Sequence, residues 1–220
     1  AKRQKRVYRM TEGNSCYRGG KPGMSDAFAA ALWSADYLLT LAANWCAGAN
    51  LHGGQSTYLT AGLGGHTPGM DVAKGPQAMP SGFYTPIRTE PNGAMRAMPV
   101  YYGMVVAQQF AGTTMLRCDV SAPNAEVAAY AGRTKKEMRV ALINKGAEAM
   151  DVTLRGVNGK RARVWRLEGP RLDATEGVTL GGAEIAAGAK WAPRAEEVVV
   201  SGDAVRVKVA GTSGVVLFIA

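Results

Sequence analysis

Glu12 is the residue of this sequence best placed to do chemistry. It closes the run Lys5–Thr11, whose composition suits a strand, and the turn residues Gly13, Asn14 and Ser15 follow at once. A carboxylate at the C-terminal end of a parallel strand is held rigidly and faces the loops, so it can serve as nucleophile or general acid/base. Position alone also allows a second role, the flank of a loop. His52 ends another short apolar run, Ala47–His52, bounded by Gly53. It either lines a pocket at the same end or packs there. Asn14 either orients Glu12 or caps its loop.

Other chemistries find less support. His52 and His66 are the only histidines and make no HExxH or H-x-H spacing. Cys16, Cys46 and Cys118 are too few and too scattered for a zinc site or a disulfide framework, so no metal is expected. One Cys16–Cys46 bridge is conceivable, and three free thiols are the simpler expectation. Gly53-Gly54 and Gly64-Gly65 form neither a dinucleotide fingerprint nor a phosphate loop, so no cofactor is expected. Among further carboxylates, Asp26 and Asp36 fall on a predicted helix, and Glu90 lies in a long loop.

The elements that must position Glu12 can be read from periodicity. Ser25 and Asp26 offer N-cap chemistry, and Ala27–Ala43 repeats apolar residues at Phe28, Leu32, Ala35, Leu39 and Ala42, which predicts an amphipathic helix. Ala47–His52 predicts a buried strand. Residues 53–96 are rich in glycine and proline and predict a long loop, a feature that compact domains keep mainly for function. Pro99 opens a second helix, Val100–Phe110, ended by Gly112. Beyond residue 114 come short β runs at Met138–Ile143, Met150–Leu154, Ala162–Leu167, Glu197–Val200, Val205–Val209 and Val215–Ile219, separated by turn residues. That pattern suggests an antiparallel β-sandwich.

Two strands with two helices cannot close a parallel sheet, so residues 1–114 read as a piece of an α/β fold and residues 115–220 as an all-β unit. The chain of 220 residues is 47% apolar and 20% charged, ordinary for a globular protein and unlike collagen, coiled coil or disorder. It can bury about two-thirds of its unfolded surface without a metal or disulfide staple. The net charge of +9 raises a nucleic-acid reading. Five of the positive charges sit together at Lys2, Arg3, Lys5, Arg6 and Arg9, while residues 10–114 are neutral overall. A nucleic-acid reader usually shows a basic stripe interleaved with aromatics or a named motif. Here the basic cluster is one short tip, read as a solvated strand flank, and no nucleic-acid partner is expected. No leader pattern is visible, and no apolar run is long enough for a membrane span.

The stretch RMTEGNSCYRGGKPGMSDAFAAALWSADYLL, followed by GANLHGGQSTY and PVYYGM, resembles glycoside hydrolase family 79, the β-glucuronidases and heparanase. The likeness continues through VALINK, ARVWRLEGPRLDATEGVTLGG and VKVAGTSGVVLFIA, which look like that family's C-terminal β-domain. The combination T-E-x-N-S, S-D-x-F and L-W-x-x-D-Y within one stretch carries most of the resemblance.

The resemblance implies a retaining glycosidase of (β/α)8 TIM-barrel type. This chain would be its C-terminal fragment: barrel strands seven and eight with their helices, followed by the antiparallel β-sandwich. Glu12 matches the nucleophile; the acid/base glutamate would lie upstream, outside this sequence, leaving the chain alone inactive. Tyr17 and the backbone of Gly19 and Gly20 match a loop that contacts the uronate carboxylate, and Tyr58 matches a tyrosine that hydrogen-bonds it. Backbone amides of a glycine-rich loop and a neutral hydroxyl suit an anion. Arg18 stands where the family often has glycine; it either strengthens uronate binding or points to solvent. His52 would line the sugar pocket. The implied partners are a uronic-acid-containing glycan and the remaining barrel half, and the implied location is secreted or periplasmic. The competing reading is a non-catalytic carbohydrate-binding module, with Trp165 and Trp191 in the sandwich as stacking platforms.

Overall fold

The structure is a computed structural model and describes residues 6–16, 19–53, 82–89, 93–121, 124 and 126–220. Strand β1 (Tyr8–Gly13) leads through a loop to helix α1 (Phe28–Ala43), and α1 returns to β2 (Cys46–Leu51), which pairs parallel to β1. This is one β-α-β unit. After residues 54–81 come a small hairpin, β3 (Ile87–Thr89) and β4 (Met95–Ala97), and helix α2 (Pro99–Gln108). Pro99 opens α2 as its fixed φ and missing N–H favour.

From Thr114 the chain is almost entirely β: β5 (Thr114–Leu116), β6 (Val127–Arg133), β7 (Met138–Asn144), β8 (Met150–Arg155), β9 (Arg161–Glu168), β10 (Thr179–Leu180), β11 (Glu196–Val199), β12 (Ala204–Val209) and β13 (Ser213–Ile219). Seven of these form one antiparallel sheet in the order β10-β9-β13-β7-β6-β5, with β11 also on the outer edge of β9. Strands β8 and β12 pair separately and lie over one face of that sheet, making the sandwich.

The central strands β7 and β13 are buried on both faces, and the period of two decides what goes where. On β13, Val215, Leu217 and Ile219 meet the β8–β12 layer, where Val205, Val207 and Val209 are buried. Val216 and Phe218 of the same strand face the helices. On β7, Val140 and Leu142 take the sandwich side, and Ala141 and Ile143 the helix side. The helix layer supplies Phe28, Leu32, Ala35 and Leu39 from α1, and Tyr102 and Val106 from α2. The two helices approach closely because α2 carries Gly103: a Cβ there would lie 2.0 Å from Ser34 Oγ. Ser34 instead donates a hydrogen bond to the Val100 carbonyl at 2.9 Å.

Polar contacts tie α1 to the sheet. The Tyr130 hydroxyl on β6 donates to the Asp36 carboxylate and meets Thr40 Oγ1 at 2.6 Å, and Lys145 pairs with Asp36 at 3.2 Å. Asp36 is thus committed to holding α1 on the sheet. Trp165 and Trp191 stack edge-on at 5.0 Å, Trp165 also meets Phe218, and both pack against the helix-side core. Trp191 further donates its indole N–H to the Leu180 carbonyl at 3.0 Å. Both rings are half-buried and take part in the packing of the core.

Four expectations need correction. Strand β2, expected to be buried, is at most half-buried, with Ala47 and Asn50 exposed, because β1 is its only strand partner among the described residues. Helix α1 begins at Phe28 with Ala27 as N-cap and no side-chain cap, because Ser25 and Asp26 bond inside the preceding loop. The expected loop over residues 53–96 contains strand β3 and most of β4, which pair antiparallel. Strand β6 went unpredicted, since the alanine-rich run Val-Ala-Ala-Tyr-Ala-Gly-Arg carries weak β propensity and is imposed by its neighbours β5 and β7. All three cysteines are free thiols, and no helix among the described residues is long and apolar enough to cross a membrane.

Leu217 is fully buried in the central strand. Leu217→Ala is expected to cost about 2–5 kcal/mol in urea unfolding. A second expectation concerns alkali. Burial pushes the Tyr102 and Tyr130 hydroxyls above the ordinary tyrosine value of 10.0, and hydrogen bonding to Asp36 adds to it at Tyr130. The folded state therefore favours the neutral hydroxyl; this contribution is complete below about pH 10 and lost as pH rises further. Tyr130→Phe should flatten part of the loss when stability is measured against pH.

Candidate active site

Strands β1 and β2 run parallel, so their C-terminal ends open at one edge. The described residues around that edge are Glu12, Asn14, Gly19, Gly20, His52 and the segment Gly82–Thr85. Pairing continues just past the strands: His52 N–H donates to the Gly13 carbonyl at 3.0 Å. Asn14 then locks the edge. Its side-chain amide donates to the His52 carbonyl at 2.6 Å and to the Tyr84 carbonyl at 3.1 Å, while its Oδ1 accepts the Ser15 N–H at 2.7 Å. One short side chain thereby holds the ends of β1, β2 and the 82–85 segment together. Of the two roles open to Asn14, the geometry gives it the fastening one.

Glu12 is exposed, one residue before the end of β1. His52 and Tyr84 form a pair at the same edge. Tyr84 is 3% exposed, and its hydroxyl meets His52 Nδ1 at 2.5 Å with the rings edge-on at 5.7 Å. Burial raises the ionisation point of Tyr84, the Gly19 backbone contact opposes this, and the negative charge of Glu12 adds to the rise. Tyr84 fixes the orientation of the His52 ring through Nδ1.

Gly19 and Gly20 both adopt left-handed backbone, at φ +86° and +90°. That conformation folds their loop back onto residue 84: Tyr84 N–H donates to the Gly19 carbonyl at 3.4 Å, and a Cβ on Gly20 would lie 2.8 Å from Tyr84 N. Ser25 fastens the same loop, meeting Ser15 Oγ at 2.9 Å and accepting Lys21 N–H at 2.9 Å. Asp26 accepts Gly23 N–H at 2.7 Å, and burial raises its pKa. Asp26 is thus a loop fastener.

The structure brings Glu12, Gly19, Gly20 and His52 to one edge. Tyr17, Arg18 and Tyr58 lie outside the described residues, as does Glu90. Sequence reasoning missed Tyr84. The available signal was the aromatic pair Phe83-Tyr84, apolar within a stretch otherwise rich in glycine and proline, and both residues are buried. Among the described residues no three His, Cys, Asp or Glu side chains converge as metal ligands.

No protein-family profile matches this sequence, and no curated protein matches it significantly. Solved structures do match in fold. A 4-O-α-L-rhamnosyl-β-D-glucuronidase from Fusarium oxysporum 12S superposes with a TM-score of 0.69 at 19% identity, over 95% of this chain and 42% of its own. A family-51 arabinofuranosidase from Xanthomonas axonopodis pv. citri gives 0.60 at 15% identity, over 97% and 41%. A family-30 endoxylanase from Clostridium papyrosolvens C71 gives 0.55 at 12% identity, over 99% and 43%. The likeness is one of fold: this chain has the fold of a part of these enzymes and spans less than half of their length.

Asn14 is the fastener whose loss should be felt most. Asn14→Ala leaves two backbone carbonyls without their donor and is expected to lower stability by about 1–3 kcal/mol in urea unfolding.

Proposed function

We propose that this chain is the C-terminal portion of a retaining glycoside hydrolase resembling the β-glucuronidases of family 79, acting on a β-linked uronic acid. The observation that carries this is Glu12, an exposed carboxylate at the C-terminal end of a parallel strand, next in sequence to Gly13, whose carbonyl accepts the His52 N–H. The fold likeness to TIM-barrel glycosidases, a glucuronidase among them, supports the reaction class.

In this reading a Glu12 carboxylate oxygen attacks the anomeric carbon. The bond to the leaving oxygen breaks, and a second carboxylic acid, on barrel strands outside this chain, supplies that oxygen with a proton. The same group then takes a proton from water as the water cleaves the glycosyl-Glu12 ester, restoring the free carboxylate with net retention. His52 presents Nε2 to the sugar, and Tyr84 holds its ring through Nδ1. The loop of Tyr17, Arg18, Gly19 and Gly20, with Tyr58, receives the uronate carboxylate. The enzyme would be exported, in keeping with a glycan substrate, and residues 1–114 and 115–220 would be barrel portion and β-domain.

Two assays test the proposal. The 220-residue chain alone should give no turnover of 4-nitrophenyl β-D-glucuronide. The protein completed with its remaining barrel strands should turn it over, and Glu12→Gln should lower kcat at least about a thousandfold with folding unchanged. Full activity in Glu12→Gln would overturn the assignment.

A further inference from the structure

The two helices of the barrel portion start beside the loop that joins β9 to β10. Helix α1 has no side-chain N-cap, so its first amides need acceptors from elsewhere. They find them far along the chain: Phe28 N–H donates to the Ala174 carbonyl and Ala29 N–H to the Leu172 carbonyl, both at 2.8 Å. At the root of the same loop, Gly169 lies against the Phe28 ring. Its backbone is ordinary, yet a Cβ there would come within 2.5 Å of Phe28 Cγ, so space alone requires glycine. Arg171 and Asp173 close the loop tip with two bonds of 2.9 Å. The loop also grips the hairpin: Arg96 on β4 donates to Glu176 at 3.2 Å and to the Thr175 carbonyl at 3.0 Å.

Each anchored element lies just downstream of a site segment. Helix α1 follows the described segment 19–27, which carries Gly19 and Gly20. The β3–β4 hairpin follows Gly82–Thr85, which carries Tyr84. We propose that residues 169–177 form a clamp that sets the spacing between these two segments, with Gly169 and Glu176 as positioning residues for the sugar pocket. The β-unit would thus shape the active site from outside the barrel, and the sequence run Leu-Glu-Gly-Pro-Arg-Leu-Asp-Ala-Thr-Glu-Gly gains a role. The proposal rests on the reading of Glu12 as the nucleophile.

The test uses the barrel-complete protein and an aryl glucuronide. Gly169→Ala pushes on Phe28 and should raise KM about tenfold with an unchanged titre of active sites, because misplaced contacts weaken binding without unfolding the enzyme. Adding Phe28→Leu should restore KM by making room for the new methyl. A merely structural role predicts the opposite split: a lower titre, an unchanged KM, and no rescue beyond recovered titre; that result would overturn the clamp. Should Gly169→Ala fail to fold, hydrogen exchange in the unaltered protein decides. First-turn helix amides ordinarily exchange fast, and the clamp predicts that Phe28 and Ala29 exchange at least about a hundredfold slower than free amides. Fast exchange there would overturn it. A Glu12→Gln enzyme that stays active would instead sink the site assignment, and the two failures are told apart by which variant misbehaves.

Discussion

Strand β13 is buried along its whole length, and the rest of the molecule is arranged around that constraint. Its even-numbered side chains, Val216 and Phe218, belong to a core shared with α1 and α2, and its odd-numbered ones, Val215, Leu217 and Ile219, to a core shared with β8 and β12. A strand that must satisfy two apolar layers reads as an unbroken hydrophobic run. It also couples those layers. The helices that follow the site loops cannot shift on the sheet without disturbing Phe218, Ile143 and Leu167, which are held from the other side by the sandwich.

This coupling gives the β-unit a definite relation to the edge where Glu12 stands. The Asp36–Tyr130–Lys145 contacts fix α1 laterally, and the carbonyls of Leu172 and Ala174 fix its start. At the site itself, Asn14 does locally what the β-unit does globally: it binds segments distant in sequence into one frame. Gly20 lies on that frame in left-handed backbone, and no side chain fits between it and residue 84.

Much of this was legible in the sequence where local pattern and tertiary demand agree. The apolar repeat of Phe28, Leu32, Ala35 and Leu39 is the face that α1 buries, and the valines alternating with Arg206 and Lys208 are the inner face of β12. The placement of Glu12 and His52 at the ends of parallel strands was legible because turn residues follow each at once. Strand β6 was hidden because alanines and a glycine pair only under the direction of β5 and β7. Ser25 and Asp26 misled because the residue types that cap helices also fasten loops, and the true acceptors lie about 145 residues away, beyond any local signal. Tyr84 was hidden for the same reason: its partners, His52 and Asn14, are set by the fold and by no spacing in the chain.

The central claim is that Glu12 is the group that bonds to the sugar. The direct measurement is to trap that bond in the barrel-complete protein with a 2-deoxy-2-fluoro uronosyl fluoride, digest it, and map the added mass. The account predicts the label on Glu12, within the peptide that spans the end of β1, and no label once Glu12 is glutamine. A label on any other residue, or labelling that persists in Glu12→Gln, would contradict it.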